Sequence, residues 1–90
     1  STPALAFVAV NPFRVESDYK PYIEDEDLEF LGVNTQERVA IYSFAVVGEN
    51  IADTTVNLRS PIVINPETKK GRQVILEDAS YSFSHPFAPH

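Results

Sequence analysis

Cysteine, methionine and tryptophan are absent from this chain of 90 residues. Without cysteine there is neither a disulfide framework nor a thiolate metal site, which removes the small secreted scaffolds that depend on bridges. A fold resting on packing alone suits a reducing compartment. Base is scarce as well: Lys and Arg total 7 against 13 Asp and Glu, a net charge of −6. Such a chain lacks the positive footprint that dominates direct nucleic-acid binding. Its longest apolar stretches, residues 4–10 and the interrupted 39–47, stop well short of the roughly 20 residues a bilayer-spanning helix needs. The opening Ser1-Thr2-Pro3-Ala4 carries no basic segment, so no signal peptide is expected. Glycine is rare, 3 residues against 7 prolines, a balance that favours corners and edge strands over long helices.

What is present points to strands. Val, Ile and Thr number 10, 6 and 5, and β-branched side chains suit a pleated backbone. Six Phe and four Tyr supply bulk for a small core. At 10.0 kDa there is room for one domain. The expected class is all-β, mainly antiparallel, with one short helix. Residues 5–10 form a continuous apolar run closed by Asn11-Pro12, read as a strand covered on both faces. Residues 13–23 mix aromatics with charges and read as one or two short edge strands. Asp25 is placed to cap a helix in which Glu26 and Asp27 fill the first turn and Gly32 is the stop. Leu28, Leu31 and Phe30 are then expected to dock it on the sheet. Residues 39–47 are apolar on both faces and read as the central strand. Residues 54–60 alternate Thr54, Val56, Leu58 and Ser60 against Thr55, Asn57 and Arg59, the pattern of a half-buried strand. Residues 62–64, a polar loop, and 73–76 give the clearest hairpin signal. The aromatic tail 80–87 is expected to lie against the body.

No catalytic set stands out. The histidines, His85 and His90, fall at the end of the chain among prolines, and the expected reading is a surface tail with no metal and no cofactor. Gly71 stands alone after Lys69-Lys70, so there is no phosphate-binding glycine loop. Lys69, Lys70 and Arg72 read as a solvated hairpin end. The conspicuous feature is acidic: Glu16, Asp18, Glu24, Asp25, Glu26, Asp27 and Glu29 fall within one short stretch, with Lys20 the only base among them. Calcium loops alternate their oxygen ligands around a central glycine; these carboxylates are consecutive and run into a helix. Two readings stay open for Asp25, Glu26, Asp27 and Glu29. One is a solvated helix start; the other is an acidic face that docks a basic protein, where complementary fields speed encounter and exclude wrong partners.

The order of segments resembles the FliW family of bacterial flagellar assembly factors. The matching stretches are Val10-Asn11-Pro12-Phe13, Asp18-Tyr19, the acidic Asp25-Glu26-Asp27-Leu28-Glu29 before Leu31-Gly32, and the strand at 39–47. The most specific block is Asn57-Leu58-Arg59-Ser60-Pro61-Ile62-Val63-Ile64-Asn65, followed by Gly71-Arg72-Gln73-Val74-Ile75-Leu76, Tyr81 and His85-Pro86. The resemblance implies a small, bulged β-barrel-like protein of the cytoplasm that is not an enzyme. It also implies two partners: CsrA, an RNA-binding translational repressor that the family antagonises, and flagellin, which sequesters the factor. The resemblance assigns no contacts residue by residue; the charge cluster itself makes Asp25, Glu26, Asp27 and Glu29 the expected CsrA-facing residues. Asn57, Asn65 and Tyr81 are expected to make structural hydrogen bonds.

One departure from the family pattern matters. Family members carry further strands before the segment that here starts at Leu5, so residues 1–90 read as a single FliW-like β domain incomplete at its N-terminus. Open strand edges then make self-association an expectation. The alternative function is a small-ligand-binding β-barrel, with Tyr42, Phe44 and Tyr81 lining a pocket.

Overall fold

The computed structural model describes residues 6–87. Its framework is six short strands: β1 (Ala6–Val10), β2 (Ala40–Val47), β3 (Thr55–Val56), β4 (Ile62–Ile64), β5 (Gly71–Gln73) and β6 (His85–Pro86). Every pairing is antiparallel, so the all-β expectation holds. The strand apolar on both faces is the hub. β2 takes β1 along Ser43 to Val47, β3 along Ala45 and Val46, and β4 along Ala40 to Tyr42. β5 extends β4 and β6 extends β3. The ends of that order, β5 and β6, are not paired with each other, so the sheet is open and barrel-like only in a loose sense.

Alternation along β2 decides which face is core. Ser43 and Ala45 are buried; Ala45 lies opposite buried Val56, and Ile41 on the same face lies opposite buried Val63. Tyr19, Ile23, Leu28 and Leu31 cover this face, and Leu58, Val74 and Leu76 complete the core. The opposite face carries Phe7, Tyr42 and Phe44, all exposed, beside half-buried Val46, Ile62 and Ile64.

Four expectations need correction. β1 is not covered on both faces: Phe7 is 71% exposed and Val8 45%, and these residues point to opposite sides of the strand. The run is apolar, but among the described residues β1 pairs with β2 alone, and of its residues it is Val10 that packs against the core. Residues 13–23 hold no strand. Instead Asn11 caps a helical turn, α1 (Pro12–Val15), its Oδ1 accepting from the Phe13 amide at 2.9 Å, with Pro12 buried at the first position. A capping side chain followed by a ring with a helical φ is a local helix start. The half-buried strand at 54–60 pairs for two residues only, as β3. Burial still alternates through Thr54, Val56, Leu58 and Ser60, but the Leu58 and Arg59 amides turn to the Ser82 carbonyl. The hairpin forms with Ile62 opposite Gln73 and Ile64 opposite Gly71. Its second strand thus ends at Gln73 instead of running to Leu76, although the Val74 and Leu76 amides still bond to the Pro61 and Arg59 carbonyls.

The tail behaves as expected. Tyr81 packs edge-on to Tyr19 with ring centroids 4.9 Å apart, and its hydroxyl accepts from the Lys20 amide at 2.8 Å. The Tyr19 hydroxyl donates to the Leu58 carbonyl at 2.6 Å. Burial and the neighbouring Tyr81 push the Tyr19 phenol well above its usual range, with the Ser43 hydroxyl offsetting part of the shift. His90 lies outside the described residues; His85 is half-buried in β6.

Candidate protein-binding face

The acidic stretch folds into α2 (Asp25–Leu31). Asp25 does not cap it. The helix starts one residue earlier, with Glu24 at the N-cap in extended backbone and its carbonyl accepting from the Asp27 and Leu28 amides. This frees the Asp25 side chain for the first turn, beside Glu26 and Asp27, where carboxylates meet the positive end of the peptide dipoles. The far end stops as expected at Gly32, whose φ of 78° is the left-handed conformation that favours glycine. A helix this short has no stability of its own in water. Leu28 and Leu31 anchor it by burial.

Two side-chain amides fix its ends. Ahead of the helix, Gln36 spans the incoming segment: its Oε1 accepts from the Ile23 amide at 3.0 Å and its Nε2 donates to the Pro21 carbonyl at 2.6 Å. At the C-terminus, buried Asn65 donates from Nδ2 to the Leu31 carbonyl at 2.7 Å while its Oδ1 accepts from the Glu67 amide at 3.0 Å. Asn57 likewise accepts from the Ser60 amide at 2.9 Å. Asn57, Asn65 and Tyr81 therefore all make the structural bonds expected of them.

With its inner face pinned, α2 presents its carboxylates unequally. Asp25, Glu26 and Glu29 are exposed; Asp27 is half-buried and holds Arg72, whose Nη1 lies 3.1 Å from Asp27 Oδ1. Phe30 does not dock on the sheet as expected. It remains 43% exposed, and the Arg72 guanidinium lies over its ring, 3.9 Å from the centroid, with the Lys70 ammonium at 5.4 Å. The hairpin end is thus not simply solvated: Lys70 and Arg72 reach across to α2 while Lys69 faces solvent. An exposed ion pair contributes about 0–1 kcal/mol and a cation over a ring about 0.5–1 kcal/mol. Arg72→Ala should accordingly lower stability by about 1 kcal/mol, read as a fall of several degrees in thermal melting.

The ligand-barrel alternative finds no common site. Tyr42 and Phe44 stand on the outer face of the sheet, whereas Tyr81 packs against core residue Tyr19. The cleft beside Tyr81, of about 110 Å³, is bordered by Lys20, Tyr22, Asp27 and Leu76 and includes neither of the other two. Among the described residues no group of three or more His, Asp or Glu is arranged to hold a metal ion, and no helix is long and apolar enough to cross a membrane. Sequence reasoning missed Gln36, Phe30 and Arg72 as determinants of this face. A glutamine in a polar turn and an arginine far along the chain give no local signal of their partners.

Comparison with known proteins places this arrangement in a family. The family model described as FliW protein matches residues 1–87. A flagellar assembly factor FliW from Geobacillus sp. (strain WCH70) is 40% identical over 99% of this chain and 62% of its own length. That from Symbiobacterium thermophilum is 42% identical over 93% of this chain and 61% of its own. A crystal structure of the flagellar assembly factor FliW superposes with a TM-score of 0.85 at 37% identity, over 93% of this chain and 60% of that one. The chain therefore spans about three-fifths of the length of the relatives it matches.

Proposed function

This chain belongs to the FliW protein family, and from that membership we propose that it is a flagellar assembly factor that works by binding other proteins and catalyses no reaction. Its partners on this reading are those the family resemblance implies. It binds CsrA in the bacterial cytoplasm and relieves repression of flagellin translation, and flagellin competes by sequestering it. The observation that carries the binding face is the set of exposed carboxylates on α2, Asp25, Glu26 and Glu29, on a helix whose opposite side is held by Leu28, Leu31 and Asn65. Asp27 belongs to the same face through Arg72, which it orients.

Electrostatics makes this arrangement suitable. A partner that binds RNA carries positive surface, and a fixed row of carboxylates steers it while repelling acidic competitors. Pinning the helix beforehand lowers the ordering cost of binding. Double reversal, Glu26→Lys with Glu29→Lys, should weaken CsrA binding about tenfold, or 1.4 kcal/mol, and flatten its salt dependence. Circular dichroism should be unchanged, because both side chains are exposed. Unaltered affinity in that variant would put the interface elsewhere on the molecule.

A further inference from the structure

The hairpin end and α2 are tied together by one buried residue. Asn65 donates its side-chain amide to the Leu31 carbonyl at 2.7 Å. Its backbone amide donates to the Lys70 carbonyl, and its carbonyl accepts from the Lys69 amide, both at 2.8 Å. The C-terminus of the helix and the turn that carries the cations are therefore fixed relative to each other. Between them lies a shallow depression bordered by Glu26, Glu29, Phe30, Lys70 and Arg72. β4 and β2 separate this end of the sheet from β1.

Charges of both signs meet in the depression. Asp27 takes one guanidinium nitrogen of Arg72, the one ion pair among the described residues. Among those residues, the exposed charges of Glu26, Glu29 and Lys70 have no ionic partner, and the other Arg72 nitrogens make no hydrogen bond. On a face that only attracts a polycation, Lys70 and Arg72 are unfavourable, because like charges across an interface oppose binding. Yet two of the 7 bases in this acidic chain stand there, both held over the Phe30 ring.

We propose that the α2 face, on the docking reading above, takes a partner segment that carries both signs of charge. Basic side chains of the partner pair with Glu26 and Glu29, and one of its carboxylates pairs with Lys70 and Arg72. Phe30 is the apolar floor at the centre, where water is excluded and an ion pair is stronger than at the rim. Uniformly basic segments are opposed by Lys70 and Arg72, and nucleic acid or uniformly acidic segments by the carboxylates. Because Asn65 fixes the spacing between the two signs beforehand, binding does not have to order either set.

Calorimetric titration of purified CsrA into the intact chain and its Lys70 variants tests this, since net charge and charge register predict opposite results. Lys70→Glu makes the chain more acidic, so it strengthens binding of a basic partner if net charge alone decides. The two-sign register requires the reverse, a fall in affinity of at least about tenfold. Lys70→Gln introduces no new charge and should weaken binding about threefold, so it reports even if Lys70→Glu fails to fold. Lys70 is exposed, and melting temperatures close to the wild type's should accompany both losses. Affinity equal to or above the wild type's in the Lys70 variants, alongside the loss expected for Glu26→Lys with Glu29→Lys, overturns the two-sign register and leaves the acidic docking face standing. Failure of the intact chain to bind CsrA, or indifference to that double reversal, overturns both.

Discussion

Leu31→Ala should cost about 3–4 kcal/mol, a large part of the whole stability of the domain. Leu31 has no exposed surface and ends the helix that roofs the core, packed with Leu28, Ile23 and Val63. Truncation loses the transfer free energy of its side chain and leaves a cavity that the sheet beneath cannot fill, and such changes cost 2–5 kcal/mol. A domain of this size has about 5–15 kcal/mol in total at the most generous, and small domains lie near the lower end. Urea unfolding should show the midpoint drop by about half with little change in slope. Leu31→Met, which nearly conserves volume, should cost less than about 1.5 kcal/mol. Equal losses in the two variants would mean that the helix does not depend on this packing.

Asn65→Ala should cost about 2–3 kcal/mol, the second largest effect expected. Its amide is 3% exposed and joins the C-terminus of α2 to the loop between β4 and β5. Removal leaves the Leu31 carbonyl and the Glu67 amide without their partner, and an unsatisfied buried group costs about 1–3 kcal/mol. Asn65→Asp separates the two bonds. Aspartate still accepts from the Glu67 amide but cannot donate to the Leu31 carbonyl, and sets its charge against that oxygen. If the helix tie is the important one, Asn65→Asp is at least as destabilising as Asn65→Ala in the same urea experiment. A near-neutral aspartate variant would assign the stabilisation to the loop instead.

The parts of this fold that were legible in the sequence are those fixed by neighbours along the chain. β2 announced itself because both of its faces are apolar. The hairpin did so through short β-branched runs around Asn65-Pro66 and Gly71, and α2 through its acidic first turn and Gly32. The missed parts depend on partners far away or on a competing local choice. Residues 13–23 carry strand-like aromatics, but Asn11-Pro12 starts a helical turn, and the remainder is held by tertiary bonds from Gln36 and Tyr81. β1 reads as a buried strand from its composition, yet composition does not supply a layer to cover it.

The candidate face was half legible. Asp25, Glu26, Asp27 and Glu29 were visible as a charge cluster, and α2 keeps three of them exposed. That Asp27 would be taken by Arg72, 45 positions along the chain, and that Phe30 would stay outside under two cations, follows only from the hairpin folding back on the helix.

The direct measurement is a calorimetric titration of purified CsrA into the intact chain at low and at high salt. Saturable binding that weakens as ions screen the α2 carboxylates is the predicted result. An absence of binding even at low salt, or an affinity indifferent to salt, would contradict it.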